Sequence, residues 1–213
     1  MSATAKRSKP ANPMGTYDLL NDAFVFFNKE LFAGKLSPCL IILHRHRSAY
    51  GYFHASHMAG TDAKTPTHEI ALNPRHLRER KPRDTMGTLV HEMVHQLQQE
   101  HGKPPKSAYH NKEWAKMMHD VGLHPSTTGK PGGAETGRNC SHFIVTNGPF
   151  AVAYAKFEKK TKLELFGDLP EPEKKKNKQS KFKFECNCGQ TCWGKEGLSV
   201  ICAECDEAME LVE

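Results

Sequence analysis

Long apolar runs are absent from this chain of 213 residues. Its most hydrophobic segments, Ala23–Phe27 and Cys39–Leu43, span five residues each, whereas a membrane-spanning helix needs about 18. The basic residues Lys6, Arg7 and Lys9 are not followed by an apolar segment, so no secretory signal is predicted. The sequence therefore predicts a soluble, cytoplasmic protein with no membrane partner.

A disulfide framework is not expected either, because thiols inside cells stay reduced. The chain is instead rich in metal-binding side chains, with 13 His and 7 Cys. Three of the His fall within residues 91–101, and five of the Cys fall within residues 186–205. This separation predicts two metal sites. The net charge of +6 permits a polyanionic partner such as DNA without requiring one.

The hydrophobic pattern predicts an α+β fold. Apolar residues at spacings of three and four predict helices over residues 16–33, 84–101 and 111–121. Short apolar runs predict strands at residues 36–43, 49–53, 68–72, 142–146 and 150–157. Residues 125–141 are rich in Gly, Pro, Ser and Thr and are predicted to form a long loop. The predicted organisation is a basic tail at 1–14, a main domain at 15–167, a Lys/Pro-rich linker at 168–183 and a Cys-rich module at 184–213.

An H-E-x-x-H motif, His91-Glu-Met-Val-His95, lies in the second predicted helix. Four residues make about one helical turn, so both imidazoles lie on one face and can share an ion. A catalytic zinc takes three protein ligands and a water, whose pKa it lowers to about 7. Glu92 is placed to act as the general base. The motif thus predicts hydrolysis by Glu-assisted attack of zinc-bound water.

The third zinc ligand has three candidates. His101 follows His95 at the metzincin spacing, but Gln98 stands where that pattern has the Gly that turns the chain back. Glu113 is available inside the next predicted helix. His110 opens that helix and can point back at the motif, which favours it.

Five segments taken together resemble the SprT-like metalloprotease family, which includes the Spartan proteases. The segments are Asn28–Phe32, Gly51–Phe53, Glu69–Pro74, Thr88–His95 and Tyr109–Trp114. The resemblance covers about residues 17–157, and residues 132–150 look like a bacterial or mobile-element branch.

This resemblance implies a zincin-like metalloprotease domain in which His91, His95 and His110 bind zinc and Glu92 is catalytic. It implies zinc-dependent cleavage of protein substrates. In the Spartan group those substrates are bound or crosslinked to DNA.

Two cysteine pairs, Cys186-x-Cys188 and Cys202-x-x-Cys205, predict a second, structural zinc. Four thiolates around one ion form a closed site, here a small zinc ribbon. Family ribbons usually open with C-x-x-C, and the first pair here is one residue short. Cys192 is therefore an alternative ligand to Cys186.

The linker carries a run of lysines that could contact phosphates or simply solubilise it, and the sequence does not separate the two. These residues are Lys174, Lys175, Lys176, Lys178, Lys181 and Lys183. Most other histidines lack ligand spacing and are predicted to be surface or hydrogen-bonded residues: His44, His46, His54, His57, His68, His76, His119 and His124. His142, which follows the long loop, could approach the cleft.

The sequence thus predicts an enzyme with two Zn²⁺ ions, one catalytic and one structural, that acts on proteins and has DNA as a candidate partner. It gives no oligomeric state. The alternative is a non-catalytic zinc-containing module that binds DNA or protein, in which the three histidines are purely structural. Glu92 favours the enzyme, because a structural site has no use for a general base.

Overall fold

The structure is a computed structural model that describes residues 14–59, 66–107, 109–169 and 181–212. It shows a mixed α+β protein that divides into two compact units, Met1–Leu169 and Pro170–Glu213. Within the described ranges, no helix combines the length and the apolar character needed to cross a membrane. The predicted basic tail, apart from Met14, lies outside the described residues, as does most of the predicted linker.

The described part of the first unit contains four α-helices and five short strands. In chain order these are α1 (Met14–Phe32), β1 (Cys39–Leu43), β2 (Gly51–Ala59), β3 (Pro66–Leu72), α2 (Pro82–His101), α3 (Lys112–Asp120), β4 (Leu123–Ser126), β5 (Ser141–Ile144) and α4 (Pro149–Lys160). One sheet has the order β1-β3-β2, with β1 parallel and β2 antiparallel to β3. β2 is therefore an edge strand. β4 and β5 form a separate antiparallel pair.

The core is built on aromatic side chains of α1 and α4. The ring of Phe27 lies 5.7 Å from that of Phe150 and 5.5 Å from that of Phe157, centroid to centroid. Phe27 and Phe150 have no exposed surface. Burial of one such side chain is worth about 1.5–3 kcal/mol, so these contacts fix α4 against α1.

Helix α2 crosses the centre of this unit and is buried on most of its surface. Met86, Leu89 and Met93 are fully buried in the core. The helix begins two residues earlier than predicted, since Pro82 occupies its first position and Asp84 lies in its first turn. A proline suits that position because its missing N–H would have no helical partner there.

The predicted strand at 150–157 is wrong, because these residues belong to helix α4. Phe150, Ala153, Tyr154 and Phe157 are its buried residues, at the spacings of one helical face. Pro149 at the first helical position adds a start signal. The predicted loop at 125–141 is also shorter than expected, since β4 extends to Ser126.

The second unit is a small antiparallel sheet with the order β7-β6-β8. Its strands are β6 (Phe182–Glu185), β7 (Thr191–Gly194) and β8 (Glu210–Val212). Among its described residues, only Phe184, Cys186 and Cys202 are buried. Such a small apolar core cannot stabilise a fold of this size by itself.

Candidate active site

The H-E-x-x-H residues lie in the middle of α2, where the helix is covered by the rest of the unit. His91 and Glu92 expose only 8% and 5% of their surface. The ring centroids of His91 and His95 are 5.2 Å apart. One helical turn has therefore placed both imidazoles side by side.

His110 is held by the backbone just before α3. The side chain of Asn111 accepts the N–H of Trp114 at 2.9 Å, which caps α3 at its start. The backbone of His110 pairs with Gly137 through two hydrogen bonds, of 2.8 and 3.1 Å. Its ring Nδ1 donates to the carbonyl oxygen of Gly137 at 3.0 Å. The Nε2 atom of the neutral ring is therefore free to bind a cation.

The three histidines converge on one point. One ring nitrogen from each of His91, His95 and His110 lies within 4.8 Å of the other two. The buried indole of Trp114 backs the group, with its ring stacked on His95 at a centroid distance of 5.2 Å. Within the described ranges no further His, Cys, Asp or Glu joins this group.

The other two candidates for the third position are engaged elsewhere. His101 Nε2 lies 3.1 Å from the carbonyl oxygen of Lys35. The carboxylate of Glu113 accepts hydrogen bonds from Gln98 Nε2 at 2.7 Å and from the Lys103 N–H at 2.8 Å. Neither side chain reaches the three-histidine group.

Burial keeps the clustered imidazoles neutral. Desolvation, with smaller contributions from His142, His95 and His110, lowers the pKa of His91 well below its ordinary value. Desolvation and the neighbouring His110 lower the pKa of His95 to about 3. Burial also lowers the pKa of His110. Neutral imidazole is the form that binds zinc.

Glu92 points from α2 toward the first residue of β2. A β-carbon placed on Gly51 would lie 3.2 Å from Glu92 Oε1, so only a glycine leaves this space to the carboxylate. Desolvation raises the pKa of Glu92 to about 8. A carboxyl group with this pKa can both accept and release a proton near neutral pH.

His142 approaches the cleft, as the sequence suggested it could. It lies on β5, where it pairs with Pro125 of β4, and its Nδ1 is 3.1 Å from Nδ1 of His91. One of these two nitrogens donates and the other accepts. The contact orients the His91 ring and leaves its Nε2 available. The closeness of His142 depends on the β4–β5 pairing, which no local motif encodes.

A cleft of about 700 Å³ runs past the histidines and Glu92. Residues 51–53, at the start of the edge strand β2, line it, as do residues 138–142. Its volume lies within the range of known ligand sites. An extended segment could therefore reach the three-histidine group along β2, which lies at one edge of the described three-stranded sheet.

The C-terminal cysteines form a second group in the other unit. The sulfur atoms of Cys186, Cys188, Cys202 and Cys205 all lie within 4.8 Å of one another. Cys192 is not part of the group, since its sulfur lies 3.8 Å from that of Met209. Four sulfurs at these separations suit one tetrahedral ion.

The lysine run is largely outside the part of the chain that the structure describes. Lys174, Lys175, Lys176 and Lys178 fall within residues 170–180, which are not described. Lys181 is exposed. Lys183 pairs with Glu185 at 2.9 Å, which competes with any phosphate contact.

Two of the histidines that were predicted to be surface or hydrogen-bonded residues lie close to an acidic side chain. His119, His124 and Glu135 each place one ligand-type atom within 4.8 Å of the other two. Helical and strand spacing could not show this, because the three residues come from three different segments.

The fold and the two principal groups of side chains define an α+β protein with a His-rich cleft and a Cys-rich cluster that can hold metal. Residues 20–131, just over half of the chain, match the SprT-like family. The chain therefore belongs to the SprT-like family. It is also 42% identical over 55 residues to a Salmonella typhimurium protein described as an uncharacterized protein in the mucB 3' region. That match covers 26% of this chain and 74% of the other protein.

Proposed function

We propose that the protein is a zinc-dependent metallopeptidase of the H-E-x-x-H type. The observation that carries the proposal is the convergence of His91, His95 and His110 beside the buried carboxyl group of Glu92. The proposal includes a zincin-like domain over residues 15–167 and a zinc ribbon over residues 184–213. The family membership of the chain supports it.

The three histidines fit a catalytic zinc better than a structural one. They offer three neutral nitrogen ligands, and the described residues supply no fourth protein ligand. A structural zinc is normally closed by four protein ligands, whereas a catalytic zinc keeps one position open. When bound, zinc would supply a Lewis acid that polarises the scissile carbonyl and acidifies water.

Glu92 carries the proton transfers in this mechanism. Its carboxylate takes a proton from the attacking water as the oxygen forms a bond to the carbonyl carbon. It then passes this proton to the amide nitrogen as the C–N bond breaks, so that an acid and an amine leave. Burial raises the pKa of Glu92, which favours the protonated form that donates in the second step.

The remaining residues orient these groups. Gly137 fixes the ring of His110 through its carbonyl oxygen, and His142 fixes the ring of His91. Such contacts to the second nitrogen of a ligating histidine set its tautomer and orientation. The edge strand β2 can add a substrate peptide as a further strand beside the cleft.

We infer that the substrates are proteins, with DNA-associated or DNA-crosslinked proteins as the first class to test. The Spartan resemblance and the net charge of +6 support this choice. The lysine run within residues 174–183 would supply the phosphate contacts.

The experiment is the substitution Glu92→Gln, with Glu79→Gln as the matched control at an exposed position. Cleavage of an unfolded protein and of a DNA-crosslinked protein is measured with and without DNA, together with bound zinc by elemental analysis. Loss of a general base costs about 10²–10⁴-fold in rate, so Glu92→Gln should keep its zinc and lose cleavage.

Two results would count against the proposal. Wild-type rates in Glu92→Gln would rule out the mechanism. A wild-type protein that binds both zinc ions but cleaves no substrate under any condition would favour the non-catalytic DNA- or protein-binding module.

A further inference from the structure

The third group of potential ligands lies apart from the cleft, at the far end of α3. His119 is in the last turn of α3, His124 is in β4, and Glu135 is in the segment between β4 and β5. His119 Nε2 is 3.1 Å from Glu135 Oε2, and His124 Nε2 is 3.5 Å from Glu135 Oε1. The ring centroids of the two histidines are 4.6 Å apart. The three side chains therefore face one common point.

The hydrogen bond made by Nδ1 of His124 decides which ring nitrogen faces Glu135. Its Nδ1 lies 2.9 Å from the carbonyl oxygen of Pro125, which can only accept, so Nδ1 carries the proton. The ring is also stacked on Phe143 at a centroid distance of 4.6 Å and an angle of 12°, which fixes its direction. With Nδ1 protonated, the second ring nitrogen, Nε2, faces a carboxylate oxygen at 3.5 Å. This contact needs a positive charge at Nε2, which is supplied either by a second ring proton or by a metal ion.

We propose that His119, His124 and Glu135 form a further metal site for a divalent transition ion such as Zn²⁺. Two imidazoles and one carboxylate are a common ligand set for such ions. The hydrogen bond from Nδ1 of His124 to a backbone carbonyl is the typical outer contact of a ligating histidine. The site is partly exposed, so water would complete the coordination, and we expect it to bind zinc more weakly than the four-cysteine group does.

The site has a structural consequence for the cleft. Glu135 stands two residues before Gly137, whose backbone pairs with His110 and whose carbonyl oxygen holds the His110 ring. An ion that ties Glu135 to α3 and β4 therefore steadies the segment that positions the third histidine of the cleft. This role does not depend on peptidase activity.

The test compares zinc binding by the full chain and its variants Glu135→Gln and His124→Ala. Protein freed of weakly bound metal is titrated with Zn²⁺, and bound zinc is counted by elemental analysis and calorimetry. Wild type should bind one more equivalent than Glu135→Gln. Loss of one ligand should weaken the Zn²⁺ affinity of this additional site by about tenfold or more. Removing even a residue that only orients a ligand lowers metal affinity by about 10–100-fold.

Two further variants separate this site from the cleft and from adventitious binding. His110→Ala should lose a different equivalent, so the double variant His110→Ala/Glu135→Gln should lose two. His44→Ala removes an exposed histidine elsewhere and should bind as wild type does. If Glu135→Gln binds as many equivalents as wild type, or if His44→Ala loses the same weak equivalent, the proposal is overturned.

Spectroscopy supplies readouts that a plain ion pair would not move. Zn²⁺ should shift the side-chain Nε2 resonances of His119 and His124 in wild type and not in Glu135→Gln. It should also slow hydrogen exchange at the Gly137 N–H, which donates to the His110 carbonyl oxygen at 3.1 Å. Unchanged Nε2 resonances at saturating Zn²⁺ would contradict the site even if a variant fails to fold.

Discussion

At the scale of single residues, the two nitrogens of His110 have separate roles. Nδ1 is occupied by the carbonyl oxygen of Gly137, so Nε2 is the nitrogen available to the shared ion. His101 has the sequence spacing of a ligand, but its Nε2 lies against the Lys35 carbonyl oxygen instead. The position of a ring in space, and not its distance along the chain, therefore separates these two candidates.

We expect His110→Ala to weaken binding of the zinc in the cleft by at least about tenfold, because it removes one of three ligands and the cost exceeds that of an outer contact. His101→Ala is the matched control and should leave zinc affinity unchanged. Zinc competition with a chromophoric chelator measures both variants. If the two outcomes were reversed, the metzincin-type ligand set would replace the one proposed here.

The sequence predicts which side chains meet in the site when they share one helix. It does not predict this when they come from distant segments. His91 and His95 are one turn apart, so the helical period alone brings them together. His142 is 51 positions from His91 and meets it only because β4 and β5 pair. Such contacts depend on tertiary structure that no short spacing encodes.

At the scale of elements, short apolar stretches are the weak point of sequence reasoning. The short apolar run at residues 150–157 predicts a strand, yet these residues belong to helix α4. Phe150, Ala153 and Tyr154 are buried together, which only the helical period explains. The longer α2 was predicted within two residues of its start, because a sustained apolar stripe leaves little ambiguity.

The contact between β2 and α2 is close enough that one β-carbon would disturb it. A β-carbon on Gly51 would lie 2.9 Å from the Ala71 carbonyl oxygen and 3.0 Å from Thr88 Cγ2, as well as near Glu92. We expect Gly51→Ala to destabilise the fold by about 1–3 kcal/mol. It should also lower kcat by about tenfold or more, because small displacements of a catalytic group are costly. Thermal unfolding and cleavage kinetics measure the two effects.

Gly15→Ala is the control for Gly51→Ala. A β-carbon at Gly15 meets nothing within 4 Å, and the residue lies in α1. This change should be neutral or stabilise the helix by about 0.5–1 kcal/mol. Wild-type kcat and stability in Gly51→Ala would show that the close approach has no bearing on Glu92.

At the scale of the whole molecule, the two units differ greatly in how much hydrophobic core stabilises each of them. The first has a core of many buried side chains, including Phe27, Trp114 and Phe150. The described part of the second buries only Phe184, Cys186 and Cys202. Metal binding can contribute about 10–16 kcal/mol of apparent free energy to a small four-ligand domain, so the second unit should depend on its ion for folding.

Cys202→Ser tests this dependence, with Cys192→Ser as its control in the same unit. The Cys202 sulfur lies 3.5 Å from that of Cys188 inside the four-cysteine group, whereas Cys192 contacts Met209 outside it. A hydrogen bond from the Glu204 backbone is the main cause that lowers the pKa of Cys202 to about 7, which favours the thiolate that binds metal.

Cys202→Ser should lose one zinc, and the amide resonances of residues 181–212 should collapse while those of residues 14–169 stay dispersed. Cys192→Ser should keep both the zinc and the dispersion. Collapse in the Cys192 variant, or dispersion in the Cys202 variant, would assign the ribbon a different ligand set.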